Sequence, residues 1–426
     1  MKKNLKLIIF LSVQFTIVLI ICLIVLFEGK KDYTVTFNLN GGECVSGEVV
    51  QTVRYGKSAQ EPAVKKEGFS LVGWSGKFNN VTKDVEVFAV WECQTTYGIE
   101  FEIIGNYCLV SGCFDDISGN VYIGSFYQGK KVLGIKDDAF RDCKNISYVY
   151  IDYGMISIGD NAFRGCSNLT CIDIAPTVEV FGTNILTGCN KLVSIFMPFV
   201  GNSIFDNSSP YFGYLFGASD YTNAYRFVPS TVKNVILTAG QPIPDFAFYK
   251  CSKLKTVTMY GKTEYIGSNA FRNCNGLESV ILSHDTKEIG KAAFTNCTSL
   301  KGIELPTSLE ILQEGVFGNC SSLSGIIINS NLKEIASNAF QNCATLKEFI
   351  INDNPNFISE NNKLYVINGY NIQEYVITLE TYKDETDNLK EKFPPFILDP
   401  EKFEGKLEVD FIIDEEKEAV DDLIKE

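Results

Sequence analysis

Eight cysteines recur along the chain at a spacing that leaves little choice of architecture. Cys143, Cys166 and Cys189 follow one another at intervals of 23 residues; after a gap of 62, Cys251, Cys274, Cys297, Cys320 and Cys343 resume the same interval. Three residues before each stands an aromatic residue or a leucine: Phe140, Phe163, Leu186, Phe248, Phe271, Phe294, Phe317 and Phe340. A fixed period of this length implies a solenoid, in which one small unit stacks on copies of itself. A single unit buries too few side chains to offset the entropy of ordering its backbone, so the turns must stabilise one another.

One unit, Ala293 to Gly315, shows how. Its apolar residues are Ala293, Phe294, Cys297, Leu300, Ile303, Leu305, Leu309 and Leu312. Ile303 and Leu305 are two apart, so one strand turns both inward. Ala293 to Cys297 has helical or 3₁₀ spacing on the opposite side. Ten strands are expected: Val121–Ile123, Val149–Ile151, Ile172–Ile174, Ile195–Met197, Val235–Leu237, Val257–Met259, Val280–Leu282, Ile303–Leu305, Ile326–Ile328 and Phe349–Ile351. At about 4.8 Å per strand they make a sheet roughly 45 Å long.

Leu300-x-x-Ile303-x-Leu305 reads as the core of a leucine-rich repeat. The recurring Ala-Phe-x-x-Cys-x-x-Leu, with Ile-Gly late in several units (Ile158-Gly159, Ile266-Gly267, Ile289-Gly290), resembles the BspA-type leucine-rich repeat family over about residues 98 to 355. The resemblance implies an extracellular or cell-surface protein that binds proteins, in the manner of an adhesin, without naming the partner. Proline after the strand, common in that family, survives here only as Pro198 and Pro306.

The long gap holds two periods plus sixteen residues, and the surplus falls near Val200 to Pro229. This insert is rich in aromatics: Phe205, Tyr211, Phe212, Tyr214, Phe216, Tyr221, Tyr225 and Phe227. Two readings stand. It contacts a partner, as Tyr and Phe favour interfaces, or it packs as a flap on its own solenoid. A second candidate surface is the outward strand position between the inward pair: Tyr150, Asp173, Phe196, Ile236, Thr258, Ile281, Glu304, Ile327 and Ile350. Polar residues would suffice on a sheet that faced only water, so an apolar stripe marks a partner site, unless β-branched residues stand there merely as good strand formers. The candidate contact residues are Tyr150, Phe196, Ile281, Ile327 and Ile350 on the stripe, and Tyr211, Phe212, Tyr214, Phe216 and Tyr221 on the insert.

Before the repeats, Lys2, Lys3 and Lys6 precede an apolar run from Leu7 to Phe27 that only Ser12, Gln14 and Thr16 interrupt. Twenty-one residues at about 1.5 Å each span a bilayer core, and the lysines favour an internal N-terminus. The expectation is a single-pass signal anchor with the C-terminal bulk outside. A cleaved signal peptide lacks its small-residue site, and a lipoprotein site at Cys22 has Ile21 where a small residue is needed, but either would also export the chain. Residues 33 to 91 then alternate as strands at Tyr33–Leu39, Val49–Tyr55 and Val85–Trp91, with a turn at Asn40-Gly41-Gly42 and an aromatic set Phe37, Phe69, Trp74, Phe88 and Trp91 read as core. The opening Thr-Val-Thr-Phe-Asn-x-x-Gly-Gly, Gly73-Trp74 and the closing strand to Trp91 resemble the internalin-B B-repeat family. That resemblance implies a β-grasp-like fold and a surface or spacer role, and no catalytic residues.

The eight repeat cysteines hold an apolar position and are read as an unpaired buried ladder. Cys44 and Cys93 follow the first and last strands of the small module. In a β-grasp those strands lie side by side, which makes the pair a candidate disulfide; Cys108 and Cys113 are a weaker one. Zinc is improbable without a Cys-x-x-Cys pair. The only histidine, His284, sits in no motif. The formal net charge is -14, and the stretch from Asp384 onward holds sixteen acids and six lysines of it. No basic face remains for nucleic acid. No nucleophile–base pair, phosphate loop or metal spacing is present, so no cofactor is expected and an enzyme is disfavoured.

The fold expected is therefore a leucine-rich-repeat solenoid, with a β-strand and a short helix or 3₁₀ turn in every 23 residues. A small β-grasp-like module and a single N-terminal transmembrane helix precede it. The divisions are 1–32 anchor, 33–93 β module, 94–138 N-terminal cap, 139–355 repeats with an insert at about 200–230, 356–382 C-terminal cap with a closing hairpin, and 383–426 acidic tail. The function expected is protein binding at the bacterial cell surface, to host or bacterial surface proteins; the alternative is a passive envelope spacer or scaffold.

Overall fold

The computed structural model describes residues 31–375 apart from 206–209, 337, 347, 352, 353, 355, 361, 362, 369 and 370. The segment read as an anchor and the acidic tail lie outside these residues. No helix among the described residues is long and apolar enough to cross a membrane. The chain divides into two compact units, one through Gln94 and one from Thr95.

In the first unit, Asp32–Asn38 lies parallel to Val85–Cys93 and antiparallel to Val50–Arg54, while Phe69–Trp74 flanks Val85–Cys93 on its other side. Val35, Phe37, Val53 and Val87 form its buried centre, with Trp74 and Phe78 packed edge-on to Phe37 at 4.8 and 5.0 Å. Of the five aromatics read as core, Phe37 alone is fully buried; Phe69, Trp74, Phe88 and Trp91 are half-buried. The Gly41-Gly42 pair has two uses. Asn40 and Gly41 take left-handed conformations that turn the chain out of the first strand. A Cβ on Gly42 would collide with the ring of Trp91, whose indole N–H donates to the Leu39 carbonyl at 3.0 Å.

The same turn separates Cys44 from Cys93. It carries Cys44 into Glu43–Ser46, which pairs with Ala63–Lys65, so Cys44 stands exposed opposite Val64. Cys93 stands opposite Phe69 at the end of the last strand. The central strands are parallel neighbours as expected, but no disulfide joins these cysteines in the structure.

The second unit is the solenoid. Strands form wherever two apolar residues alternate about one outward residue, because only a pleated strand turns both into the core. Ten parallel strands follow one another on the main face: Gly119–Ile123, Ile146–Ile151, Cys171–Ile174, Ser194–Met197, Asn234–Leu237, Thr256–Met259, Ser279–Ile281, Gly302–Glu304, Gly325–Ile328 and Glu348–Ile351. The first seven form one ladder and the last three another. A second face carries shorter strands, among them Ser157–Ile158, Val180–Phe181, Tyr265–Ile266, Glu288–Ile289, Ile311–Leu312 and Glu334–Ile335. Three of these, Ser157–Ile158, Tyr265–Ile266 and Glu288–Ile289, end on the Ile of an Ile-Gly pair. Gly267 is glycine because a Cβ there would strike the backbone of Pro244 and Asp245 in the preceding turn.

The helix or 3₁₀ segment expected in every turn is absent. Ala-Phe-x-x-Cys forms consecutive tight turns, and the only helices among the described residues are two short 3₁₀ pieces in the insert, Phe212–Phe216 and Ala224–Arg226. The cause is a pair of left-handed residues four apart in each turn: Asp138 and Asp142, Asn161 and Gly165, Asn184 and Gly188, Asn269 and Asn273, Gly315 and Asn319. A helix of L-residues cannot pass through them. Amides instead alternate in direction. Thr295 and Cys297 donate back to Ala292 and Phe294 at 3.1 Å, while Phe294 and Asn296 donate forward to Val316 and Gly318 of the next turn at 2.8 Å. Half of this segment's hydrogen bonds therefore join one repeat to the next.

The rings and thiols form two columns. Phe248, Phe271, Phe294, Phe317 and Phe340 stack face to face at 5.0 to 5.6 Å, with planes within 13° of parallel. The cysteines of Cys166, Cys189, Cys274, Cys297 and Cys320 are buried, and each thiol donates to the phenylalanine carbonyl of the preceding turn at 3.0 to 3.2 Å. Outside, Lys287–Glu264, Lys291–Glu314 and Lys333–Glu310 bridge neighbouring turns at 2.8 to 3.2 Å, but such exposed pairs contribute little each. Ile99–Ile104 and Tyr107–Cys113 form an antiparallel hairpin at the N-terminal end; Phe357–Glu360, Lys363–Asn368 and Asn371–Tyr375 form a three-stranded antiparallel sheet after the last repeat.

Candidate binding surface

The outward strand positions align across the sheet. In register stand Tyr122, Tyr150, Asp173, Phe196, Ile236, Thr258 and Ile281, then Glu304, Ile327 and Ile350. Tyr150, Phe196, Ile281, Ile327 and Ile350 are half-buried by their neighbours in the row. Ile236 is 5% exposed and has no free surface for a partner. Tyr122, which begins the row, was not among the expected stripe residues; its place on the first strand was visible in the sequence.

The row changes character along the stack. At the N-terminal end Tyr122 lies 5.9 Å from Tyr148 and 6.2 Å from Tyr150. Tyr150 donates to Asp152 Oδ1 at 3.3 Å, and Ser125 Oγ donates to Asp152 Oδ2 at 2.8 Å. Burial, then Asp173 and Asp152, push the Tyr153 hydroxyl up to about 12, so it stays a neutral donor at physiological pH. The C-terminal end presents Ile281, Ile327 and Ile350 with the exposed Glu304 between. Tyr122 is itself covered, at 7% exposed, so the N-terminal end offers Tyr148 and Tyr150 beside carboxylates and the C-terminal end an aliphatic strip.

The insert resolves differently from its aromatic composition. Tyr211, Phe212 and Phe216 are 4%, 0% and 2% exposed, which removes all three as contact residues. Strand Ser194–Met197 pairs directly with Asn234–Leu237, so one repeat has lost its Ala-Phe-x-x-Cys segment and the insert fills its place. Leu186 donates to the Leu215 carbonyl and Phe212 to the Ala247 carbonyl, both at 2.8 Å, as the phenylalanines do elsewhere. Phe212 lies 5.0 Å from Phe248 and continues the ring column. Tyr214 is half-buried, with its hydroxyl 3.4 Å from the Phe181 carbonyl.

Tyr221 remains, 41% exposed. It packs 4.6 Å from Phe246, which packs on Tyr249 at 5.7 Å, and the Lys250 ammonium lies over the rings of Tyr249 and Tyr225 at 4.9 and 5.5 Å. Phe246 and Tyr249 were missed. The signal was the departure of Asp245-Phe-Ala-Phe-Tyr-Lys-Cys251 from the repeat, which elsewhere puts Asn, Asp or Gly at most left-handed positions; Phe246 and Lys250 adopt that conformation at φ 59° and 62°. His284 is exposed. Among the described residues no group of three His, Cys, Asp or Glu is placed to hold a metal.

Residues 101–211 and 241–363 match the BspA type leucine rich repeat region in six copies, over half of the chain. The chain belongs to this family. Residues 33–88 match the Listeria-Bacteroides repeat domain, the same stretch that resembles internalin-B B-repeats. No curated protein matches the chain. Among solved structures, a leucine rich repeat protein of T. pallidum is 18% identical and covers 58% of this chain and 87% of its own, with a TM-score of 0.26. A leucine rich cell surface protein of Faecalibacterium prausnitzii is 18% identical, covering 60% and 94% with a TM-score of 0.25. A leucine-rich repeat protein of Bacteroides ovatus is 21% identical, covering 60% and 93% with a TM-score of 0.24.

Proposed function

We propose that this BspA type repeat protein is exported from a bacterial cell, held by its N-terminal apolar segment, and binds other proteins through the outer row of its main sheet. The observation that carries the reading is the alignment of Phe196, Ile281, Ile327 and Ile350 in one row on a sheet face that packing of the solenoid does not require to be apolar. Three lysines before a run of twenty-one residues, eighteen of them apolar, support export and a single span with the bulk outside. The partner is a protein of the host or bacterial surface, recognised by an extended apolar strip with a tyrosine–carboxylate end. The row and the family's repeat scaffold support binding rather than catalysis; no catalytic step is proposed.

Capture from surface-protein extracts tests this. Intact exported protein retains specific partners, and a variant with Ile281, Ile327 and Ile350 all changed to Ser loses them while melting as the parent does. Unchanged capture by a folded triple variant rejects the row as the site. Absence of any captured protein favours the alternative, a passive envelope spacer.

A further inference from the structure

The thiol ladder begins with an anomaly. Each buried cysteine from Cys166 onward that donates to a carbonyl finds it on the phenylalanine one turn earlier, as Cys166 does at Phe140, 3.1 Å away. Cys143 is the first of the series and has no such turn beneath it. In that place stands Cys113, a cysteine outside the 23-residue period, at the end of the strand Tyr107–Cys113. The two sulfurs lie 2.8 Å apart. Less than about 1 Å of movement would bring them to the disulfide bond length of roughly 2.05 Å. Cys108, the other cysteine of that strand, is directed elsewhere: its thiol is 3.4 Å from the Lys131 carbonyl.

We propose that Cys113 and Cys143 form a disulfide in the exported protein, locking the N-terminal hairpin onto the first turn of the solenoid. This rests on the reading that the chain is exported, because a pair so placed stays reduced in the cytoplasm. The location fits the purpose of such a link. A terminal unit is covered by a neighbour on one side only, so the cap frays before the interior. The hairpin Ile99–Ile104 with Tyr107–Cys113 is that unit. A bond from residue 113 to residue 143 closes the intervening chain and removes its freedom from the unfolded state.

The oxidant is a disulfide donor of the cell exterior, an oxidised dithiol or a small-molecule disulfide. The Cys143 thiolate attacks one donor sulfur and displaces the first donor thiolate. The Cys113 thiolate then attacks the Cys143 sulfur of the mixed disulfide and displaces the second. The protein loses two electrons and two protons; the donor gains both and leaves as two thiols. The hydrogen bond shared by the two sulfurs holds the Cys143 thiol below its ordinary range and suits it to attack first, while the same hydrogen bond and then burial push Cys113 up.

The full-length chain, solubilised in detergent, is incubated with oxidised glutathione, alkylated and digested without reduction. The expected product is one linked peptide pair joining Cys113 to Cys143, with amides of residues 99–113 exchanging at least tenfold faster after reduction. Cys113→Ser and Cys143→Ser each abolish the pair, while Cys166→Ala keeps it. Because exchange is also compared in the parent chain with and without reductant, the test does not depend on the variants folding. Alkylation of both residues after oxidation, or unchanged exchange on reduction, overturns the proposal. The same peptides are mapped from protein of intact cells treated with external protease. A reduced pair in protease-accessible protein overturns the proposal; a pair that closes in vitro but is reduced in protease-inaccessible protein overturns export instead.

Discussion

Removing one ring from the middle of the phenylalanine column measures how far each turn depends on its neighbours. Phe294 is fully buried, with Phe271 at 5.0 Å on one side and Phe317 at 5.5 Å on the other. Phe294→Ala forfeits the transfer and cavity terms of a buried ring, about 3–5 kcal/mol. Two stacked partners also lose a face, at roughly 0.5–1.5 kcal/mol each, part of which the cavity term already contains. A total near 5 kcal/mol lowers the melting temperature by about 10–20 °C for a unit of this size. Phe294→Leu is the control, because Leu186 occupies the equivalent position natively; its cost is about 1–2 kcal/mol. The assay is thermal unfolding followed by circular dichroism, with hydrogen exchange read by repeat. Exchange rises most in residues 271–328 and least in residues 146–174, because a solenoid couples nearest neighbours. A melting loss under about 3 °C for the alanine variant, or a uniform rise in exchange from end to end, refutes the reasoning.

Three further outcomes follow from single contacts. Ala292 holds a left-handed conformation that Asn, Asp or Gly takes in most other turns, so Ala292→Asn raises the melting temperature, by about 0.5–1 kcal/mol of stability; a lower melting temperature counts against the turn assignment. Asn354 is buried and donates to the carbonyls of Asn329 and Leu332 at 2.7 and 2.8 Å, so Asn354→Ala costs about 1–3 kcal/mol and raises exchange at the C-terminal end first. Burial pushes the thiols of Cys189 and Cys251 up to about 12 from an ordinary 9.0. The folded state therefore keeps protons that the unfolded state releases: this contribution is complete below pH 9 and is lost between pH 9 and 12. Cys251→Ala flattens the alkaline fall of the melting temperature over that window, and an identical slope in parent and variant contradicts the assignment.

The strands were legible almost to the residue, because Ile-x-Ile and Val-x-Leu pairs admit one way of burying both side chains. The turn segment was misread as helical from the spacing of Ala293, Phe294 and Cys297. The correcting signal lay in the residues between, where Asn269, Asn273, Asn319 and Asn342 recur at positions that a helix gives no reason to fill with Asn. The insert shows the limit of composition. Its aromatics suited an interface and a core equally; what decided was that the repeat before Asn234 lacks its own Phe and Cys, leaving a void that Phe212 and Phe216 fill. The stripe was readable because register in a parallel ladder is set by the period. The Cys113–Cys143 contact was not, since Cys113 stands outside that period and its position depends on how the cap folds back.

The central claim, that the outer row of the main sheet is where a partner sits, is tested most directly by a photo-crosslinking amino acid placed at position 327 in protein displayed on intact cells. The account predicts crosslinks to one or a few surface proteins from position 327, and from position 281, but none from position 333 on the second face. It also predicts that Ile281→Ser with Ile350→Ser weakens the crosslinked complex by about tenfold to thirtyfold, from roughly 1 kcal/mol per lost aliphatic contact. Equal crosslinking from positions 327 and 333, or an unweakened complex, would contradict it.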